Sequence, residues 1–172
     1  MRVLILGSDT PLGSALAARL QTLGRHEIVS LTRAACRWKS ERQAKKAGSR
    51  PKCEIVVDLR VQAAADGVDQ LQELDLKRCH WVAKACQRGA MTYLYASTSR
   101  VFSGQLDRAY TEEDYPDNET AFGGMLASAE QLVRDSCEKH LILRLGPVFS
   151  FEGTNLIPQM LGELGSRGGS LV

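Results

Sequence analysis

Three places in this 172-residue chain hold residues whose types and spacing could do chemistry. The first is Gly7-Ser-Asp-Thr-Pro-Leu-Gly13, set between the apolar run Arg2–Leu6 and a helix-patterned stretch beginning at Pro11. A tight turn opening a helix aims backbone N–H groups at an anion, the arrangement that holds a pyrophosphate. Gly7, Thr10, Pro11, Leu12 and Gly13 are therefore candidate phosphate-binding residues. The β-branched Thr10 crowds the close backbone approach, however, and Pro11 biases it toward extended dihedrals. The second place is Arg33, with Arg37 and Lys39 close behind, after the apolar run at 28–31. An acid there would hold ribose hydroxyls, whereas a guanidinium suits a ribose 2′-phosphate. Any bound dinucleotide is thus expected to be NADP rather than NAD, with Arg33 leading and Arg37 helping. The third place is the segment from Ala96 to Glu130, which carries the hydroxyl of Thr98 and a run of acids.

The elements that must position these residues alternate between strand and helix, the order of a parallel α/β sheet. Strands are expected at Arg2–Leu6, 28–31, 55–57, 92–96 and 141–145. Helices are expected at Pro11–Leu23, 74–88, 122–138 and 156–164, the first carrying a stripe of Leu12, Leu16, Leu20 and Leu23 and stopping at Gly24. Right-handed crossovers would wind these into a doubly wound sheet of the Rossmann type. The length fits one domain, residues 1–172.

Bulk properties exclude several classes. The net charge is +2, and the apolar runs are strand-length, far short of a membrane span. Met1 leads into Arg-Val-Leu-Ile-Leu-Gly without the regions of a signal peptide, so a cytoplasmic location is expected. Five cysteines without a CxxC read as reduced thiols, with Cys79 and Cys86 on the buried face of one helix. His26, His80 and His140 show no metal spacing, and no metal is expected. Charge is uneven: residues 33–52 hold eight basic side chains against Glu41, and residues 107–119 hold six acids against Arg108. These could be solvated surfaces or contacts to a polyanion, but without interleaved aromatics or a nucleic-acid motif RNA or DNA is not the expected partner.

Residues 110–130 resemble the signature of the extended short-chain dehydrogenases, Y-x-E-x-D-x-P followed by Tyr-Gly-x-x-Lys and a Glu. Tyr110, Glu112, Asp114, Pro116, Gly123 and Glu130 are in register with it. Ala96-Ser-Thr-Ser-Arg-Val-Phe-Ser-Gly104 is similar to I-S-T-D-Y-V-F-D-G, and Leu143-Arg-Leu-Gly-Pro-Val-Phe149 resembles L-R-x-x-W-V-Y-G. Together these resemble the dTDP-4-dehydrorhamnose reductase branch of that superfamily, over nearly the whole chain. The resemblance implies that Thr98 keeps its catalytic position, with the usual 24 positions to the tyrosine site. It also implies that the tyrosine site is Phe122 and the lysine site Leu126. In the family that tyrosine handles the proton at the substrate carbonyl, and the lysine lowers its pKa and holds the nicotinamide ribose. The family's N-A-A turn aligns with Asp58-Leu59-Arg60, which makes Asp58 and Leu59 candidate cofactor neighbours. The chain ends at Val172, where the family continues, so residues 150–172 are expected to begin an incomplete substrate lobe.

The favoured reading is a catalytically degenerate relative that binds an NADP-like nucleotide, a protein partner or both, in a regulatory role. The resemblance offers a precedent in the regulatory β subunit of methionine adenosyltransferase, a member of the same branch that acts through a partner enzyme. One alternative is an active NADP-dependent reductase or epimerase-type oxidoreductase acting on a nucleotide sugar; another is a scaffold with no small ligand. Self-association through the helices at 74–88 and 122–138 is expected if the stripe of Leu126, Ala129, Leu132 and Val133 is not spent on the chain's own sheet.

Overall fold

In the computed structural model, which describes residues 1–49, 52–61, 71–148 and 162, strands and helices alternate as expected. The order is β1 (Arg2–Leu6), α1 (Pro11–Leu23), β2 (Glu27–Leu31), α2 (Glu41–Ser49), β3 (Ile55–Asp58), α3 (Glu73–Arg88), β4 (Thr92–Thr98), a 3₁₀ turn (Ser99–Val101), α4 (Ala121–Ser136) and β5 (His140–Leu145). The expected helix at 156–164 lies outside the described residues. All pairings are parallel, and the strand order is β2-β1-β3-β4-β5. This is the doubly wound α/β sheet that the sequence implied. The chain goes to one side of β1 for β2 and to the other for β3. That reversal opens a crevice beyond the carboxyl ends of β1 and β3, where ligands of such sheets bind.

Alternation along the strands separates two cores. Leu4, Leu6, Val56, Tyr93 and Tyr95 face α2, α3 and α4, packing with Cys79, Val82, Cys86, Leu126 and Val133. Val3, Ile5, Val57, Leu59 and Ala96 face the other side, packing against Leu12, Leu16 and Leu20 of α1. All five cysteines are free and buried, Cys79 and Cys86 on the inner face of α3. Burial pushes the thiols of Cys36 and Cys79 up to about 12, so at neutral pH they are packing groups rather than nucleophiles.

Two elements differ from expectation. Helix α2 has no counterpart in the apolar pattern, because among residues 41–48 only Ala44 is buried, and the exposed positions are Arg, Lys and Gln. Of the stripe on α4, Leu126, Ala129 and Val133 are fully buried in this chain's own core, and Leu132 is half-buried.

Candidate functional site

The glycine loop follows β1 and crosses the crevice. Gly7 adopts φ +85°, open to glycine at little cost, and a Cβ there would stand 3.2 Å from the backbone of Leu59 and Arg60. Gly13 is tighter still, since a Cβ would meet the Gly7 carbonyl oxygen at 2.2 Å. Gly13 is thus required by packing, and Gly7 by its positive φ. Thr10 is the N-cap of α1, and its buried hydroxyl accepts the Gly13 N–H at 2.9 Å while donating to the Gly7 carbonyl at 2.8 Å. The Ser14 N–H goes to the Thr10 carbonyl, and Pro11 has no N–H to offer. The first turn of α1 is left with the Leu12 N–H as the amide lacking an acceptor inside the helix.

Asp9, in the same loop, reaches across to the end of β2. Its carboxylate accepts from the Arg33 backbone N–H at 2.7 Å and from Arg33 Nε at 3.0 Å. Although desolvation opposes it, these contacts with Arg33 hold the Asp9 carboxyl below its ordinary value, so it is ionised at neutral pH. Arg33, the residue expected to hold a ribose phosphate, therefore already has a carboxylate partner.

The turn after β3 is closed by a buried ion pair. Asp58 is wholly buried and accepts from Arg60 Nε at 2.8 Å, an Arg60 terminal nitrogen at 2.6 Å and Tyr93 Oη at 2.7 Å. Burial alone would raise the Asp58 pKa, but the Arg60 charge and the hydrogen bonds from Arg60 and Tyr93 outweigh it and hold the carboxyl low. The Arg60 guanidinium lies 5.2 Å from the Trp38 ring centre, a cation–π contact. Leu59 is buried in the core on the α1 side. The expectation that Asp58 and Leu59 border a cofactor thus meets two side chains sealed from solvent. The residue of that turn that reaches a cleft is Arg60.

That cleft, of about 130 Å³, is lined by Arg33, Arg37, Arg60 and Arg78, with Asp75 and an apolar floor of Cys36, Val61, Leu71 and Cys79. Arg78 donates to Asp75 at 2.8 Å and to the Trp38 carbonyl at 3.0 Å. Arg33, Arg60 and Arg78 are thus each tied to a carboxylate, whereas Arg37 has no ion-pair partner among the described residues. Arg78 went unnoticed in the sequence and Arg60 stood out only as part of its turn, because the contacts of Trp38, Arg60 and Arg78 join segments far apart in the chain.

At the end of β4, Thr98 is buried and its hydroxyl accepts the Arg100 N–H at 3.3 Å, capping the 3₁₀ turn. Phe122, in the first turn of α4, is 8% exposed and carries the Arg100 guanidinium over its ring at 4.4 Å. Phe122 and Arg100 border a second cavity of about 360 Å³ with Leu71, Thr120, Ala121 and Met125. Leu126 is 0% exposed and belongs to the core. The chain therefore brings Thr98, Arg100 and Phe122 to one end of the sheet and turns Leu126 inward.

Two acids of the acidic segment are architecture. Asp117 accepts from the Ser103 N–H and hydroxyl at 2.7 Å and from Tyr110 Oη at 3.0 Å, and Asp114 pairs with both Arg108 terminal nitrogens. Tyr110 stacks on Phe102 at 4.0 Å. Glu130 is fully buried and accepts from Arg144 Nε at 3.1 Å and a terminal nitrogen at 2.8 Å, joining α4 to β5. Among the described residues no cluster of three or more His, Cys, Asp or Glu could hold a metal, and no helix is long and apolar enough to cross a membrane.

A parallel five-stranded sheet with a glycine turn at its switch point defines a Rossmann-type nucleotide-binding fold. The chain belongs to the RmlD substrate binding domain family, whose model matches residues 1–171. It is 28% identical over 167 residues to the spore coat polysaccharide biosynthesis protein SpsK of Bacillus subtilis (strain 168), covering 93% of this chain and 58% of that protein. It is 25% identical over 164 residues to the dTDP-4-dehydrorhamnose reductase of Aggregatibacter actinomycetemcomitans, with 93% and 56% covered. Among solved structures it is similar to the dTDP-4-dehydrorhamnose reductase of Bacillus anthracis str. Ames in complex with NADP. There the TM-score is 0.83 at 24% identity, covering 96% of this chain and 60% of that one. The chain thus spans less than two thirds of the length of these relatives.

Tested against the NADP expected from Arg33 and Arg37, the site fits at one end only. The cationic cleft with its apolar floor suits a base and a ribose phosphate. The glycine loop offers one first-turn amide and an ionised Asp9, and Leu126 offers no cation toward a second ribose.

Proposed function

We propose that this chain is a catalytically degenerate relative of the nucleotide-sugar reductases, one that binds a phosphorylated nucleotide and turns nothing over. The single observation that carries the reading is the pairing of Phe122 with a fully buried Leu126. An aromatic ring without a hydroxyl can neither give nor take a proton. A leucine sealed in the core can neither lower a neighbour's pKa nor anchor a ribose. Thr98 keeps a hydroxyl at the end of β4, but a threonine can only polarise a carbonyl oxygen. What remains intact is the cleft of arginines at the far end of the crevice, and the B. anthracis relative was solved with NADP. A protein with binding but no turnover acts by occupancy, so a regulatory role toward a partner is the function this reading implies.

The direct test follows nicotinamide absorbance with NADPH and a dTDP-4-keto-6-deoxy sugar. We expect no protein-dependent oxidation, since loss of positioned acid catalysis alone typically costs about 10²–10⁴-fold. Turnover proportional to protein concentration would establish the alternative of an active NADP-dependent oxidoreductase.

A further inference from the structure

We infer that the cleft beside Arg37 is a half-site: it takes a phosphorylated nucleoside, a base with a phosphate on its ribose, and the rest of a dinucleotide adds nothing to binding. This rests on the nucleotide-binding reading above and narrows it. Size is the first argument. The cleft holds about 130 Å³, well under the roughly 300–1,000 Å³ of a site that encloses a whole small-molecule ligand. Its floor of Cys36, Val61, Leu71 and Cys79 is buried and apolar, a surface for a flat ring.

Charge is the second argument. Arg33, Arg60 and Arg78 each face their own carboxylate, from Asp9, Asp58 and Asp75. Those pairs fix three guanidinium groups and cancel much of their field. Arg37, exposed on the rim, has no acid to cancel it among the described residues. A ribose phosphate would therefore draw its charge-assisted hydrogen bonds chiefly from Arg37, with Arg33 supporting. This reverses the order expected from position along the chain.

Continuity is the third. Beyond the cleft a dinucleotide would have to cross the glycine loop and enter the cavity at Phe122. Neither cavity is lined by any residue from Gly7 to Gly13, and among the described residues Leu71 is the one they share. In the loop a pyrophosphate would meet Pro11, a Gly13 amide already taken by Thr10, and the Asp9 carboxylate that holds Arg33. Each of these withdraws a donor or adds a like charge. The nicotinamide-side ribose would find a leucine turned away from it.

Calorimetry on the 172-residue chain with adenosine 2′,5′-bisphosphate, NADP and nicotinamide mononucleotide decides the matter. We expect the bisphosphate and NADP to bind within about threefold of each other, nicotinamide mononucleotide not to bind, and Arg37→Gln to weaken both by about tenfold. Arg37 is exposed, so the variant should melt like the parent. Arg37→Lys, which keeps a point charge, should recover part of the loss. NADP binding about tenfold or more tighter than the bisphosphate overturns the half-site and leaves nucleotide binding standing. Unchanged affinity in Arg37→Gln overturns the placement at this cleft. No binding of either nucleotide removes the nucleotide reading itself.

Discussion

At the scale of single residues, position 126 separates an altered site from a vanished one. A lysine can serve a cofactor only if its ammonium reaches the cleft, and Leu126 is 0% exposed among Ala129, Val133 and the strand side chains. Restoring the family residue should therefore damage the fold before it could help any chemistry. Leu126→Lys is expected to cost at least about 3 kcal/mol in urea unfolding at neutral pH, the scale of an uncompensated buried charge. Burial would depress that lysine's pKa below its unfolded value, so the penalty should ease as pH rises toward about 10. Phe122→Tyr borders the cavity and should be nearly neutral by the same assay. An unchanged midpoint for Leu126→Lys would mean that this face of α4 opens to solvent after all. The buried carboxylate on the same helix gives a second test. Glu130→Ala strands Arg144 with its Nε and a terminal nitrogen unpaired, and should cost about 3–5 kcal/mol.

At the scale of elements, the start of α4 holds two adjacent glycines with opposite meanings. A Cβ on Gly123 would meet Asn118 atoms at 2.4 to 2.6 Å, backbone among them, whereas one on Gly124 would meet nothing within 4 Å. Gly124→Ala should therefore raise the unfolding midpoint, by up to about 1 kcal/mol from helix propensity alone. Gly123→Ala should lower it, and equal effects of one sign would discard the Asn118 contact as the cause. From sequence both glycines look like helix weaknesses, because spacing cannot reveal a loop folded back from residue 118. The same limit explains other gaps. Short apolar runs made the five strands legible, since the central strands of a parallel sheet are covered on both faces. The exposed α2 leaves no such stripe, and the acids at 114 and 117 read as a charged surface although they are consumed by Arg108, Ser103 and Tyr110. The glycine turn was legible as a turn, but the sequence could not say that Thr10 would turn its hydroxyl inward onto Gly13. Thr10→Gly removes that competitor at little cost to the cap, because glycine is itself tolerated there. It should tighten NADP relative to adenosine 2′,5′-bisphosphate in the calorimetric comparison.

At the scale of the whole molecule, the sheet is locked at its centre by one polar knot. Asp58 on β3 takes Arg60 and Tyr93, Arg60 lies over Trp38, and Arg78 of α3 donates to the Trp38 carbonyl. Three layers of sequence, around residues 38, 58 and 78, meet at that point with the strand residue Tyr93. Acid should therefore unfold this protein through Asp58. Desolvation works against ionisation there, yet the Arg60 charge and the donated hydrogen bonds win, so the folded pKa lies below the unfolded value near 3.8. A carboxyl with a depressed folded pKa contributes stability that is fully present above its unfolded pKa and is lost as pH falls through the folded one. The melting temperature should accordingly be level from neutral pH down to about pH 5 and fall steeply below about pH 4. Asp9, Asp114 and Asp117 shift in the same direction but stand at the surface, where salt screens them. Melting curves at low and high salt divide the two contributions. If Asp58 dominates, the acid-induced fall keeps its midpoint and most of its depth in high salt. If the surface carboxylates dominate, the fall shrinks as ionic strength rises, and the buried knot is not what acid undoes.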